Sequence, residues 1–484
     1  MSIARFARVL GVATLGALIG CATDQSADVA SYRAISDPPG TPPRPEPGDT
    51  LYLRDALVLT AIFNEHLAVQ GERWVQALAE RQRLAAALRP TVDLFTRTNL
   101  RENTGSSGVS QTDVGVNAQY RLLTGMSDLK NVRAADARIE AARWLILDLR
   151  EALLVQVGRT YYDALRAERL VAVLENSERA QSARLVDARA RNEAGVTRAL
   201  DVAQIEAQVA RTRAQLTVAR RQAGEARSLL TLLTNSAADE LVLGDGYAAP
   251  SAPPAAETMH ALAATHRQDV LAARSEADAA RQVVDAALGA YAPSLSINLD
   301  YFLVRSPSPD LASVVSLLEL RVPIFSAGRI EAEVRGAWSR FREAVLEYRA
   351  RRREAQRDVE TAHLRLLAAI KLAGELQTQV RFAAQAFELA EETYRAGLGT
   401  NLERIVAQDQ LLAAELEAAS AEFDTKTAYL ELLRAAGVLS SEVAGAPLPE
   451  ASPTVEPESP FLDRGAPPAS VAPLRSDAPR GPTT

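Results

Sequence analysis

Between positions 126 and 193 the chain carries no proline and a single glycine, Gly158. If helical throughout, that stretch spans roughly 100 Å at 1.5 Å per residue. A helix of such length cannot fold back into a globule and has to find partners along its flank. Val157, Thr160, Ala164, Ala167, Val171 and Leu174 keep a four-three spacing within it. After a short break the same spacing returns in Ile205, Val209, Thr212, Leu216, Ala219, Ala223, Ala226, Leu230 and Leu233. Alternating steps of four and three define a heptad seam, and hence coiled-coil packing. Many seam positions are alanine or threonine, which let helices approach closely.

The break between the two helical tracts is written twice. Residues 195–208 read GVTRALDVAQIEAQ and residues 397–410 read GLGTNLERIVAQDQ. Gly195 pairs with Gly397, Leu200 with Leu402, Asp201 with Glu403 and Gln208 with Gln410, always 202 residues apart. Leu123 and Phe325, which open the preceding helices, stand at the same distance. One offset at well-separated points marks an internal duplication. The matching helical tracts of the second copy run from Gly328 to Arg395 and from Thr400 to Ala436, with Gly336 and Gly374 as places for local bends.

Each copy opens with a helical tract, Leu51 to Leu88 and about Thr258 to Leu288, ended by Pro90 and Pro293. Alternating residues follow. Val92, Leu94, Thr96, Thr98 and Leu100 lie opposite Asp93, Arg97, Asn99 and Arg101. After a turn-rich loop, Val114, Val116, Ala118, Tyr120 and Leu122 lie opposite Asp113, Asn117, Gln119 and Arg121. The second copy places Leu295, Ile297, Leu299, Tyr301 and Leu303 opposite Ser296, Asn298, Asp300 and Phe302. Val314, Leu318, Leu320 and Val322 then stand opposite Glu319 and Arg321. Period two with one apolar face is the mark of a strand, so each copy holds a hairpin. An open sheet cannot stand in a membrane, because its backbone edges would go unpaired in hydrocarbon. Single-chain bacterial barrels need about eight strands, so four per chain imply oligomerisation.

The ends are of another kind. Arg5 and Arg8 precede an apolar run, Val9 to Ile19, too short to span a bilayer. It ends in Leu18-Ile19-Gly20-Cys21, and Cys21 is the sole cysteine of the chain, so no internal disulfide can form. Residues 22 to 49, with six prolines between Pro38 and Pro47, read as a solvated tether. From Pro447 to Thr484 the chain is rich in Pro, Ala, Ser and Glu without periodicity, the composition of disorder. The net charge of −7 argues against a nucleic-acid partner, which demands a basic surface.

The segment ending at Cys21 resembles the bacterial lipoprotein box, in which the signal is cleaved before the cysteine and the new terminus is acylated. Ala22 after the cysteine implies, by that resemblance, export to the outer membrane. The box, the paired hairpins, the coiled coils and the two-fold repeat together resemble the TolC family of outer-membrane factors. The lipidated members that serve drug efflux are the most similar in appearance. The resemblance covers about Leu51 to Val438, and its most specific pieces are Val322-Pro-Ile-Phe-Ser-Ala-Gly-Arg329 and the two tips, Tyr394-Arg-Ala-Gly-Leu-Gly-Thr above all.

This likeness implies an α+β membrane protein with two repeats per chain. Three chains give a trimeric, twelve-stranded β-barrel continued by a long α-helical coiled-coil barrel. The domain plan is then a signal peptide over 1–20, a lipidated tether over 21–50 and a first repeat over 51–245. A linker over 246–257, a second repeat over 258–438 and a disordered tail over 439–484 complete it. Asp113, Asn117, Gln119, Asn298, Asp300 and Glu319 are expected on the lumen, with Val114, Val116, Ile297, Leu299 and Val322 toward lipid. Tyr120, Tyr301 and Phe325 are candidates for the interfacial aromatic belt.

At the tips an acid at Asp201 or Glu403 suits the amino-terminal helix dipole. The resemblance adds a sharper role for the second tip, where acidic rings and salt links hold the pore closed. Glu403, Arg404 and Asp409 are its gate candidates, and Val406 stands where relatives carry a second acid. Adaptor docking is expected at Gly195, Val196, Thr197, Leu200, Asp201, Gly397, Leu398, Gly399, Thr400 and Leu402. Cys21 is the lipidation site.

No enzyme is expected. His66, His260, His266 and His363 stand apart, no carboxylate or cysteine recurs at metal-ligand spacing, and no phosphate-binding loop is present. Neither a metal nor a cofactor is implied. Three methionines are too few for a soft-metal relay. Arg349, Arg351, Arg352 and Arg353 alternate with acids as a solvated helix face, and Trp144 and Trp338 lie in helical tracts as packing residues. The leading reading is a passive exit duct for small molecules in the outer membrane of a Gram-negative bacterium. Its partners are two further copies, a periplasmic membrane-fusion adaptor, a proton- or ATP-driven inner-membrane pump, and outer-membrane lipid. A type I protein-secretion duct is the alternative within that class. A non-conducting periplasmic coiled-coil lipoprotein is the alternative outside it.

Overall fold

The computed structural model describes residues 26–36, 45–100, 110–236, 240–306 and 314–445. Its helices are α1 (Ser26–Ser36), α2 (Leu53–Phe63), α3 (Glu65–Ala86), α4 (Ser127–Glu193), α5 (Ala199–Thr234), α6 (Ala256–His266), α7 (Gln268–Leu288), α8 (Arg329–Arg395), α9 (Asn401–Ala436) and α10 (Leu439–Ala444). Its strands are β1 (Thr50–Tyr52), β2 (Thr91–Leu100), β3 (Ser110–Thr124), β4 (Val242–Gly244), β5 (Ser294–Ser306) and β6 (Val314–Arg321). Cys21 and its signal lie outside the described residues, as does the tail beyond residue 445.

The duplication is visible in the backbone. Helices α4 and α8 have 67 residues each, and α5 and α9 have 36 each, with every boundary displaced by 202. Upstream of the hairpins the displacement is 203: Glu65 corresponds to Gln268 and Thr91 to Ser294. One residue is therefore gained or lost within the hairpins. Left-handed residues obey the same rule. Gly125 and Met126 match Ala327 and Gly328 at the strand-to-helix turn, Gly195 matches Gly397, and Asn235 matches Gly437. Gly336 and Gly374, the places for local bends, both lie inside the continuous helix α8.

The chain divides into two compact units. The first, residues 1–76, 142–269 and 353–451, holds the coiled coils and a core packed between α2, the middle of α4, the ends of α5 and α9, and α6. The heptad residues Val157, Ala164 and Leu230 are buried in that core, Ile205 and Val209 in a separate cluster with Ala188, and Thr160 and Thr212 are buried as well. Gly158 lets Leu430 pack directly on α4 in that core: a Cβ on it would meet Leu430 Cδ1 at 2.5 Å and force that side chain to shift. Strands β1 and β4 pair in parallel, and the Tyr161 hydroxyl lies 2.7 Å from Leu51 O and 2.6 Å from Gly244 O, so it ties both strands to α4.

Two expectations about the ends are corrected here. Residues 26–36 are not a solvated tether: they form α1, with Tyr32 buried so closely on Gly71 that a Cβ there would meet its ring at 2.3 Å. Nor does the tail begin at 439. Helix α10 buries Leu439 and Val443, while Ser440 donates its backbone N–H to Glu151 at 3.1 Å and accepts from Arg150 at 3.1 Å.

The second unit, whose described residues fall within 77–141 and 270–352, carries one antiparallel sheet in the order β2-β3-β5-β6. A small core of Ala277, Val284, Ala337, Phe341 and Val345, with Trp338 against it, joins α7 to the first turns of α8. Among the described residues no helix is long and apolar enough to cross a membrane.

Candidate functional site

The two tips are built from the same turn. At the end of α4, Gly195 N–H bonds to Asn192 O and Val196 N–H to Arg191 O. At the end of α8, Gly397 N–H bonds to Tyr394 O and Leu398 N–H to Thr393 O. This paired closure demands a left-handed residue just past the helix, and Gly195 (φ +73°) and Gly397 (φ +74°) supply it. In both tips the residue after the glycine is apolar and points outward, Val196 being 75% and Leu398 85% exposed. Leu200, Leu402 and Val406 are exposed nearby.

The starts of the next helices differ. Thr400 caps α9 in a closed box: its Oγ1 accepts from Glu403 N–H at 3.2 Å, and Glu403 Oε2 accepts from Thr400 N–H at 2.8 Å. Arg198, the matching residue of the first tip, has no capping oxygen and instead grips Asp201 through two bonds of 3.1 and 3.0 Å. Replacing Thr400 with alanine is expected to destabilise the second tip by about 1 kcal/mol. Replacing Arg198 with alanine is expected to leave the first tip's cap unchanged. Hydrogen exchange of the α9 first-turn amides measures the difference.

The gate candidates separate on inspection. Glu403 is exposed, held only by its own cap. Arg404 and Asp409 were expected beside it on the pore, but their side chains are engaged within the chain. Arg404 is buried, 4.3 Å over the Tyr394 ring, 2.8 Å from Asn401 Oδ1 and 3.7 Å from Glu391. Asp409 accepts from the Gln208 amide and lies 3.3 Å from Arg211. Asp201 is likewise buried, unlike the rest of its loop. Asn401 completes the join between the hairpins, donating its amide to Gln204 Oε1 at 3.1 Å. Sequence reasoning missed Asn401, Gln204 and Gln208 as the residues that bind tip to tip, and Tyr394 as the ring that holds Arg404 within the second tip. The one available signal was that Gln204 and Gln208 directly precede the seam residues Ile205 and Val209.

The sheet sorts its faces by register. Asp93 pairs with Asn117 and Asn117 with Asp300; Gln119 pairs with Asn298; Ser296 pairs with Glu319. Cross-strand partners share a face, so the expected polar residues fall together. The Asn117 amide lies 2.7 Å from both Asn298 Oδ1 and Asp300 Oδ1. Asp113 is on the same face but buried, and Gln119 is exposed. On the other face Leu94, Val116 and Tyr301 form one row and Val92, Ala118 and Leu299 the next.

Two details depart from simple alternation. Register shifts in the β3–β5 pairing leave Leu122 and Leu303 without a partner, so Leu123 and Val304 carry the apolar face onward. Val315 and Leu317 of β6 lie opposite Asp300 and Asn298, which makes that strand apolar on both faces. Val322 falls just past the end of β6. Both outer strands, β2 and β6, pair on one side only within the chain.

Among the described residues no group of three His, Cys, Asp or Glu side chains is placed to hold a metal ion. His363 is bonded to Pro254 O at 3.0 Å, a long-range structural contact, and His266 to Thr265 Oγ1 at 2.7 Å, a local one.

Comparison with known proteins agrees with this architecture. BepC of Brucella suis, named an outer membrane efflux protein, is 25% identical over 337 residues, which cover 69% of this chain and 73% of BepC. The protein CyaE of Bordetella pertussis is 28% identical over 452 residues, covering 88% of this chain and 92% of CyaE. The crystal structure of the outer membrane protein VceC from Vibrio cholerae matches with a TM-score of 0.70, 19% identity, and coverage of 80% of this chain and 96% of that one. The fold is TolC-like. The family model described as outer membrane efflux protein matches residues 64–236 and 260–438, one stretch in each repeat and together more than half the sequence, and the chain therefore belongs to that family.

Proposed function

We propose that this protein is the outer-membrane exit duct of an efflux system, passing small molecules that an inner-membrane pump delivers. The observation that carries the reading is the sheet: four strands, an apolar face, an opposite face that is polar over much of β2, β3 and β5, and two edges unpaired within the chain. Such a sheet is stable in a bilayer only when its edges close on other copies. Three chains closing edge to edge give a twelve-stranded barrel with Asn117, Asp300 and their neighbours on the water-filled side. The helices support the same assembly. On α8, Leu364, Phe382 and Leu389 fall within about 20° of one another at 100° per residue, and all are exposed. On α5, Val218, Leu229 and Leu232 are similarly exposed. These stripes fit a neighbouring copy's helices.

The apolar tip residues Val196, Leu200, Leu398 and Leu402 suit a periplasmic adaptor's helical hairpin, and the exposed Glu403 suits a three-fold acidic ring at the entrance. The expected result for purified protein in planar bilayers is discrete conductance steps, with Glu403→Ala raising the open fraction. Folded trimers that never conduct, even with that substitution, would overturn the duct.

Cys21 is proposed to carry the acyl anchor. Helix α1 begins at Ser26, so only four residues separate the anchor from packed structure, about 14 Å of extended chain. Metabolic labelling with palmitate is expected to mark the wild type and to be lost in Cys21→Ser; equal labelling of both would remove the anchor from this residue.

A further inference from the structure

One row of the polar sheet face is not polar. Phe95, Gly115 and Phe302 are cross-strand partners on β2, β3 and β5, one step along from the Asp93, Asn117 and Asp300 row. The two rings meet edge to face with centroids 5.7 Å apart and planes at 88°. They close over Gly115, where a Cβ would stand 2.9 Å from Phe95 Cζ and 2.6 Å from Tyr301 O. No larger residue fits beneath them, so the glycine and the rings are one arrangement. Filling the gap above a strand glycine is a sufficient packing reason for one aromatic ring. It does not require two on a face that is polar over the rest of β2 and β3, and both rings remain partly exposed.

The chemistry of the row is shown by its neighbours. The Arg97 guanidinium lies 5.5 Å from the Phe95 ring centroid, so that ring already receives a planar cation. The Asp93 and Asp300 backbones are two residues further along their strands, roughly 7 Å away. A flat apolar body resting on the rings would therefore hold a positive charge within reach of a carboxylate.

We propose that Phe95 and Phe302 form an aromatic contact ring on the lumen wall, six phenyl groups in the trimer, that favours passage of planar aromatic cations. This rests on the duct reading, which supplies the trimer and makes the polar face the lumen. The ring acts as a shallow station that lowers the free energy of such cargo between entrance and exit.

The test is current blockade in planar bilayers holding the wild-type trimer, with ethidium as the planar aromatic cation and tetraethylammonium as a cation of equal charge without a ring. Ethidium is expected to block measurably longer than tetraethylammonium. In Phe95→Ala/Phe302→Ala its dwell time should fall about tenfold, the scale of one or two lost aromatic contacts. Tetraethylammonium should be unaffected. Phe95→Leu/Phe302→Leu keeps an apolar cover over Gly115, preserves folding, and is expected to lose the same selectivity. Equal ethidium dwell times in the wild type and the leucine variant, with channels conducting normally, overturn the ring and leave the duct intact. A wild-type trimer that does not conduct removes the duct, and the ring with it.

Discussion

Substituting Gly437 with valine is expected to destabilise the protein by several kcal/mol, the largest effect of any single tip or cap residue. Two costs add at this position. Gly437 ends α9 at φ +75°, and forcing a non-glycine residue into the left-handed region costs roughly 1–2 kcal/mol, more when it is β-branched. The new side chain then has nowhere to go. A Cβ at Gly437 would stand 2.8 Å from Arg267 Cα, 2.9 Å from Arg267 N and 2.9 Å from His266 O, all backbone that cannot swing aside. That backbone is the joint between α6 and α7. It is held by Gln268, whose amide donates to Gly437 O at 3.0 Å. It is held also by the buried Arg267 guanidinium, clasped by Asp269 at 2.9 Å and Asp358 at 2.8 Å. Displacing the joint also disturbs the ion pairs of the buried Arg267 with the half-buried Asp269 and Asp358, which adds to the loss.

The control is Gly195→Ala. Gly195 has nearly the same φ, +73°, yet nothing lies within 4 Å of its Cβ position. It should lose only about 1 kcal/mol, the conformational share. Denaturant melts of the two variants separate strain from collision. Equal losses would mean that the contact with Arg267 carries no weight.

Gly437 also shows what the sequence could and could not convey. Its counterpart Asn235 is left-handed too, at φ 49°, so the two helix ends are equivalent in backbone though different in residue. The 202-residue offset was legible because the tip residues around Gly195 and Gly397, and Leu123 and Phe325 before them, are written in one dimension. The long helices and the tips followed from it. Polar and apolar strand faces were legible for the same reason, until the unpartnered residues Leu122 and Leu303. A register shift is decided between strands, and nothing in either strand alone announces it.

The second tip was only half legible. Glu403 can be read locally, because Thr400 and Glu403 at three-residue spacing are a cap signature. Arg404 and Asp409 sit in the same few residues but turn away, Arg404 toward Tyr394 across its own turn and Asp409 toward Gln208 of the other hairpin, directions set by how helices pack. Helix α1 was hidden by the prolines that follow it. Its order comes from Tyr32 finding Gly71, a contact with no sequence period.

The second large effect concerns assembly. Leu389→Asp, or Phe382→Asp, is expected to abolish the trimer and with it all conductance, while leaving the single chain folded. In the isolated chain Leu389 is 61% and Phe382 58% exposed, so a carboxylate there stays hydrated and should shift monomer stability by no more than about 0.5 kcal/mol. In the assembly each substitution occurs three times, and each would place an unpaired charge in an apolar seam. An uncompensated buried polar group costs at least about 1–3 kcal/mol, and a charge more, so three of them amount to several kcal/mol against association.

The matched control is Leu398→Asp, since Leu398 is more exposed still, at 85%, but sits on the tip and not on the α8 stripe. It should assemble and conduct like the wild type and lose only adaptor binding. Sedimentation in detergent and circular dichroism read the two properties separately. A Leu389→Asp protein that sediments as a trimer would show that the stripe meets something other than a second copy. Loss of helicity in the same variant would show that Leu389 supports the fold of its own chain, contrary to its exposure there.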